Sequence, residues 1–100
     1  MNCEEMIGSD GYITVIEDWS EDFAKCRMGM MDLEVTDTRW AVVSYMRNYY
    51  DEYAIAPDQR HMLRKAGKEL GYNSKGFYEL FPNGPKQAAM IAGLAKPSGC

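Results

Sequence analysis

Proline and glycine cut the second half of this chain into short segments, and this limits what it can build. Pro57 suits the first turn of a helix, and Gly71 suits the residue just past a helix end. Asn73 or Ser74 can cap the next helix, which cannot run past Pro82. Pro85 opens another, and Gly93 ends it. Beyond Gly93, the residues Pro97 and Gly99 prevent the tail from continuing as helix. The expected elements of this half are a helix from Pro57 to Gly71 and two shorter helices after it.

The first half is less interrupted. Ser20 can cap a helix reaching about Met30, and Thr36 can cap a longer one. In the second of these, Trp40, Val43, Tyr45, Met46, Tyr49, Tyr50 and Tyr53 recur at mostly helical spacing, which predicts the main core element. Tyrosines so spaced are read as core and rim packing with hydroxyls reaching solvent, not as a stacking platform for a cofactor. Gly11-Tyr12-Ile13-Thr14-Val15-Ile16 is β-branched and aromatic, and predicts a strand in a small N-terminal β-hairpin or meander. The expected fold is α+β: a mostly helical single domain of about five helices with that small sheet. Residues 1–93 are expected to form the body and residues 94–100 a flexible C-terminal arm bearing Cys100. Of the 100 residues, 46% are hydrophobic and 26% charged, enough for a core and against wholesale disorder.

Several classes are set aside. No apolar run approaches the roughly 20 residues of a membrane span. The start, Met1-Asn2-Cys3-Glu4-Glu5, is acidic and lacks the plan of a signal peptide, so a cytoplasmic protein is expected. The three cysteines, at positions 3, 26 and 100, form no CxxC, and the single histidine, His61, has no cysteine near it. No metal site and no cofactor are therefore expected. In a reducing cytoplasm the cysteines are read as free thiols. Cys26 is read as a small buried hydrophobe beside Phe23 and Met30, and Cys3 is read as a terminal residue without a role.

The helix–Gly71–helix stretch from Leu63 to Phe81 has about the length of a helix-turn-helix. Its second helix would start Ser74-Lys75-Gly76, without the Arg, Asn or Gln that reads base edges, so two packed helices are the better reading. Charge is uneven. Residues 60–100 hold seven Lys and Arg against two Glu, a net of +5, so the first 59 residues carry −9 of a total of −4. A basic end on an acidic body orients docking and permits proximity to tRNA, but the acidic whole opposes independent nucleic-acid binding.

The C-terminal third carries the most specific pattern. Leu80-Phe81-Pro82-x-Gly84-Pro85-Lys86-Gln87-Ala88, followed by Ile91-Ala92-Gly93-Leu94-x-Lys96-Pro97-x-Gly99-Cys100, resembles the DsrC/TusE sulfur-relay family. Gly11-Tyr12, Trp19, Trp40, Arg47-x-Tyr49-Tyr50 and Pro57-x-x-Arg60 extend the resemblance along the chain. That family includes a gamma-subunit-like partner of dissimilatory sulfite reductase and a carrier for tRNA 2-thiouridine synthesis. Members that pair with sulfite reductase carry a second arm cysteine eleven residues before the terminal one, where this chain has Ala89. Ala95 replaces the usual proline of the arm, and Arg39 stands where a histidine usually precedes the tryptophan. The resemblance thus implies the tRNA-thiolation branch or a related single-thiol carrier, in tRNA 2-thiouridine synthesis or in sulfur oxidation or reduction.

A single mobile thiol supports one cycle. The Cys100 thiolate attacks a donor persulfide, takes its outer sulfur, holds it as Cys–S–SH and presents it to an acceptor. A free cysteine has a pKa of about 8.5, so only a few per cent is thiolate at neutral pH. Lys96 favours the thiolate and a terminal carboxylate opposes it. Arg60 and Lys96 both match family positions, and are the weaker candidates for steering an acidic donor or a polyanionic acceptor. The resemblance implies a donor of the TusBCD/DsrEFH type and an acceptor that is a tRNA thiolase or a sulfite reductase-type enzyme, with tRNA met only indirectly. The alternative is a regulatory or nucleic-acid-binding helical domain, or a sulfite reductase-associated protein, without sulfur transfer.

Overall fold

The computed structural model describes residues 2–97. Six α-helices follow two short 3-10 turns: α1 (Glu21–Met30), α2 (Asp37–Tyr53), α3 (Gln59–Leu63), α4 (Lys65–Leu70), α5 (Ser74–Leu80) and α6 (Pro85–Ala92). Local chemistry sets most of these boundaries. The Ser20 hydroxyl accepts from the Phe23 N–H, Thr36 from Arg39, and the Asn73 amide oxygen from Gly76, each relieving one orphan donor of a first turn. Gly71 and Gly93 close α4 and α6 in the left-handed conformation, at φ 84° and 68°.

The expected N-terminal hairpin is absent, and no strand occurs among the described residues. One antiparallel bridge, Ile7 to Ile13, is all that forms. The 3-10 turns Cys3–Met6 and Ile16–Asp18 occupy the residues on either side, so pairing has nowhere to extend. Gly11, at φ 87°, makes the loop tip, and its carbonyl accepts a 2.9 Å bond from the buried Arg27 on α1. β-propensity was overridden by docking onto a helix.

The expected third helix, from Pro57 to Gly71, is two helices. Pro57 lies before the helix, Asp58 is the cap, and the chain breaks at Arg64, φ −117° and ψ −69°. The Tyr72 hydroxyl donates to the Met62 carbonyl at 2.6 Å, the carbonyl that a continuous helix would offer to residue 66. Tyr72 reaches it because Gly67 has no side chain: a Cβ there would stand 2.5 Å from the Tyr72 carbonyl.

The free-thiol reading of Cys3 and Cys26 is overturned. The two are joined in a disulfide, with an S–S distance of 2.01 Å and Cα atoms 6.2 Å apart. Cys3 is fully buried with Ile13 and Phe23, not an idle terminal residue. Their 23-residue separation hid the proximity.

The helix most enclosed by others is α6, not α2. It packs against α1, α2 and α3, and Ala88, Ala89, Ile91 and Ala92 have no exposed surface. Small side chains let its neighbours approach closely. α2 contributes Val42, Val43 and Met46 to the same core, while Trp40, Tyr45 and Tyr50 pack at its edge. Leu94, assigned to the arm by sequence, is fully buried in this core.

Candidate functional site

The feature that bears on function is the place where the chain leaves α6. A helix end exposes carbonyls with no partner of their own. Here Leu94 N–H turns back to the Ala89 carbonyl at 3.0 Å, and the buried Leu94 and Ala89 share the core, as in a Schellman ending. The carbonyls of Ile91, Ala92 and Gly93 are taken by two side chains from elsewhere. Trp19 Nε1 donates to Ile91 at 2.9 Å. Arg47 Nη1 donates to Ala92 at 3.1 Å and to Gly93 at 3.3 Å.

Arg47 and Trp19 also hold each other. The guanidinium carbon lies 4.5 Å from the indole centre, a cation–π contact. The indole lies so close over Gly93 that a Cβ there would collide with the Trp19 ring. Burial lowers the Arg47 pKa from its ordinary value, an effect opposed by nearby Asp51, Tyr50 and Glu17. An arginine stays charged under such a shift. The site is therefore a fixed cationic clamp on the root of the last residues.

The candidates named from sequence fare unevenly. Cys100 lies outside the described residues. Lys96 is exposed near the end of the described tail, with Pro97 buried after it. Arg60 is exposed on α3, and among the described residues it shares no side-chain bond with Lys96 or with the clamp. Ala89, the position singled out in the sequence, is fully buried. The residues that reasoning from sequence left without a role are Trp19 and Arg47. Their only signal was membership in the family pattern, because their meeting with Gly93 spans 74 and 46 residues of chain.

Arg39, which stands in place of the family's histidine, ties two elements. Its Nε donates to the Leu80 carbonyl and its Nη1 to the Glu34 carbonyl, both at 2.9 Å. It secures the start of α2 against the end of α5. Among the described residues no group of three or more His, Cys, Asp or Glu is placed to hold a metal. No described helix is long and apolar enough to cross a membrane.

Comparison with known proteins identifies the family and the fold. The family model described as DsrC like protein matches residues 3–100. A sulfurtransferase TusE homolog of Haemophilus influenzae is 38% identical over 95 residues, covering 91% of this chain and 87% of that protein. The solution structure of Allochromatium vinosum DsrC superposes with a TM-score of 0.83 at 42% identity, covering 94% of this chain and 88% of that one. The oxidized gamma-subunit of the dissimilatory sulfite reductase from Archaeoglobus fulgidus gives 0.78 at 33% identity, covering 94% and 90%. A family match running from Cys3 to the last residue, on a fold shared with these structures, makes the chain a member of the DsrC-like protein family.

Proposed function

We propose that this protein is a sulfur carrier in a sulfur relay, holding sulfur as a persulfide on Cys100. The observation that carries the reading is the family match through residue 100, with a relative named as a sulfurtransferase over nine-tenths of the chain. The clamp supports it. A thiol on a short tail must be delivered to a partner's pocket, and fixing the root of the tail narrows the volume it searches.

The step balances without an added oxidant. The Cys100 thiolate attacks the outer sulfur of a donor persulfide, forming one S–S bond and releasing the donor thiolate. Transfer to the acceptor repeats this in reverse. The donor is a protein of the TusBCD/DsrEFH type, and the acceptor is a tRNA thiolase or a sulfite reductase-type enzyme. Alanine at 89 leaves no second thiol at that position to resolve a persulfide within the tail, which favours one-sulfur carriage over the two-thiol chemistry of sulfite reductase partners. Arg60 and Lys96 steer the partners, and the relay operates in the cytoplasm.

Loading the protein from a persulfidated donor and weighing its peptides tests this. One sulfur, about 32 Da, is expected on the C-terminal peptide and is expected to vanish in Cys100→Ser, since only a thiolate accepts it. Sulfur on Cys3 or Cys26, or unaltered acceptor thiolation with Cys100→Ser, would sink the reading.

A further inference from the structure

A second feature lies on the other side of α2. At about 100° per residue, Tyr45, Tyr49 and Tyr53 point roughly opposite to Arg47. With α3 and α4 they enclose a cleft of about 220 Å³. Its wall is a run of rings. Tyr53 and Tyr49 lie 4.6 Å apart between centres, and Tyr49 meets His61 edge-on at 4.8 Å. The Tyr45 hydroxyl is hydrogen-bonded to His61 Nε2. Burial first, and then neighbouring Glu69, raise the Tyr45 pKa, so its hydroxyl stays protonated.

The charges of the cleft are Glu52 and Glu69 against Lys65. Carboxylates thus outnumber ammonium groups beside the rings, two to one. Aromatic faces next to carboxylates suit a cation, and a planar cation best, because guanidinium stacks on a ring while its N–H fork meets a carboxylate. Phosphates are disfavoured by the two carboxylates. The cleft is open at Tyr53, which is 55% exposed.

We propose that this cleft receives an arginine side chain of a partner protein. It lies away from the clamp at the tail root, so it is an anchor for docking whose occupancy is read by binding and not by sulfur transfer. The probe is N-acetyl-arginine-N-methylamide, titrated into the full chain while amide and His61 ring signals are followed by NMR. Saturable shifts are expected at Tyr45, Tyr49, His61 and Glu69 in the millimolar range. The neutral citrulline analogue is expected to leave them in place, and the lysine analogue to bind about fivefold more weakly, having no plane to stack. Glu52 and Glu69 are exposed, so Glu52→Gln with Glu69→Gln keeps the fold and is expected to weaken the arginine probe about tenfold. Equal shifts with citrulline, an undiminished response in the double variant, or no shifts at all would overturn the proposal. So would adenosine monophosphate moving these signals where the arginine probe does not, which would make the cleft a nucleobase site. Cys100→Ser is expected to leave every one of these titrations unchanged, so failure here is separate from failure of the carrier reading.

Discussion

Arg47 and Trp19 divide the last carbonyls of α6 between them while stacked on one another. The indole serves Ile91, and the guanidinium serves Ala92 and Gly93 from 4.5 Å above the ring. One residue precedes α1 and the other sits in the middle of α2, so the root of the tail is tied to two separate elements. Neither side chain needs to touch sulfur for this to matter. Each fixes where the tail starts.

Arg47→Ala is expected to lower stability by about 1–3 kcal/mol, from loss of a cation–π contact and of charged donors to two carbonyls. Arg47→Lys is expected to recover less than half of that, because an ammonium cannot both stack and reach two acceptors. Urea titrations give the stabilities. Donor-dependent sulfur loading of Cys100 should slow in both variants, whereas alkylation by a small reagent should not. Unchanged loading would mean that the clamp only stabilises the fold.

The Cys3–Cys26 disulfide closes a 23-residue separation. By chain entropy, such a loop stabilises the fold by about 3 kcal/mol. Cys3→Ser with Cys26→Ser should therefore lower the unfolding free energy by about that amount, and a reductant should do the same to the parent protein. Sulfur loading of Cys100 should persist in the double variant. Its loss there would assign the pair a part in the chemistry.

Tyr72 gives an alkaline signature. Burial raises its hydroxyl pKa above the usual value, with Tyr45 a smaller cause, and the same hydroxyl holds the Met62 carbonyl at 2.6 Å. The unfolded chain loses this proton near pH 10 and the folded chain keeps it longer, so above about pH 10 the unfolded state binds fewer protons. Stability should be fully present below about pH 10 and fall above it. Tyr72→Phe should flatten that fall while costing about 1–3 kcal/mol at pH 7 for the unpaired carbonyl. An alkaline limb as steep in Tyr72→Phe as in the parent would show that another group sets it.

The sequence was most legible where structure is local. Ser20, Thr36, Asn73, Gly71 and Gly93 act within one turn of their own position, and they mark helix ends where expected. What was missed is set by distant partners. The break at Arg64 depends on a hydroxyl from Tyr72, and the cysteine pair and the Arg47–Trp19 contact need the fold itself to bring them together. The strand expected at 11–16 failed because Ile13 packs with Phe23 of α1 and the Gly11 carbonyl is taken by Arg27, while Thr14 and Val15 stay exposed. The near-complete burial of α6 had a readable signal, since Pro85–Ala92 carries one charged residue, Lys86, among mostly small apolar ones. In the tail, Lys96 was legible as a cation, but the clamp at Gly93 was not.

Gly93 separates two meanings of a terminal glycine. At φ 68° alanine is strained by about 1 kcal/mol or more, and the added methyl would also press into the Trp19 ring. A glycine needed only to end a helix would incur the first cost and not the second. Gly93→Ala is therefore expected to lose about 2–5 kcal/mol, with the indole displaced and its emission shifted to the red. Gly29 is the control. It lies within α1, and a Cβ added there would meet nothing within 4 Å, so Gly29→Ala should gain about 0.5–1 kcal/mol. A Gly93→Ala loss near 1 kcal/mol with Trp19 emission unchanged would show that the indole yields easily. The tail root would then be held by Arg47 alone, and Trp19→Phe should leave the position of the tail undisturbed.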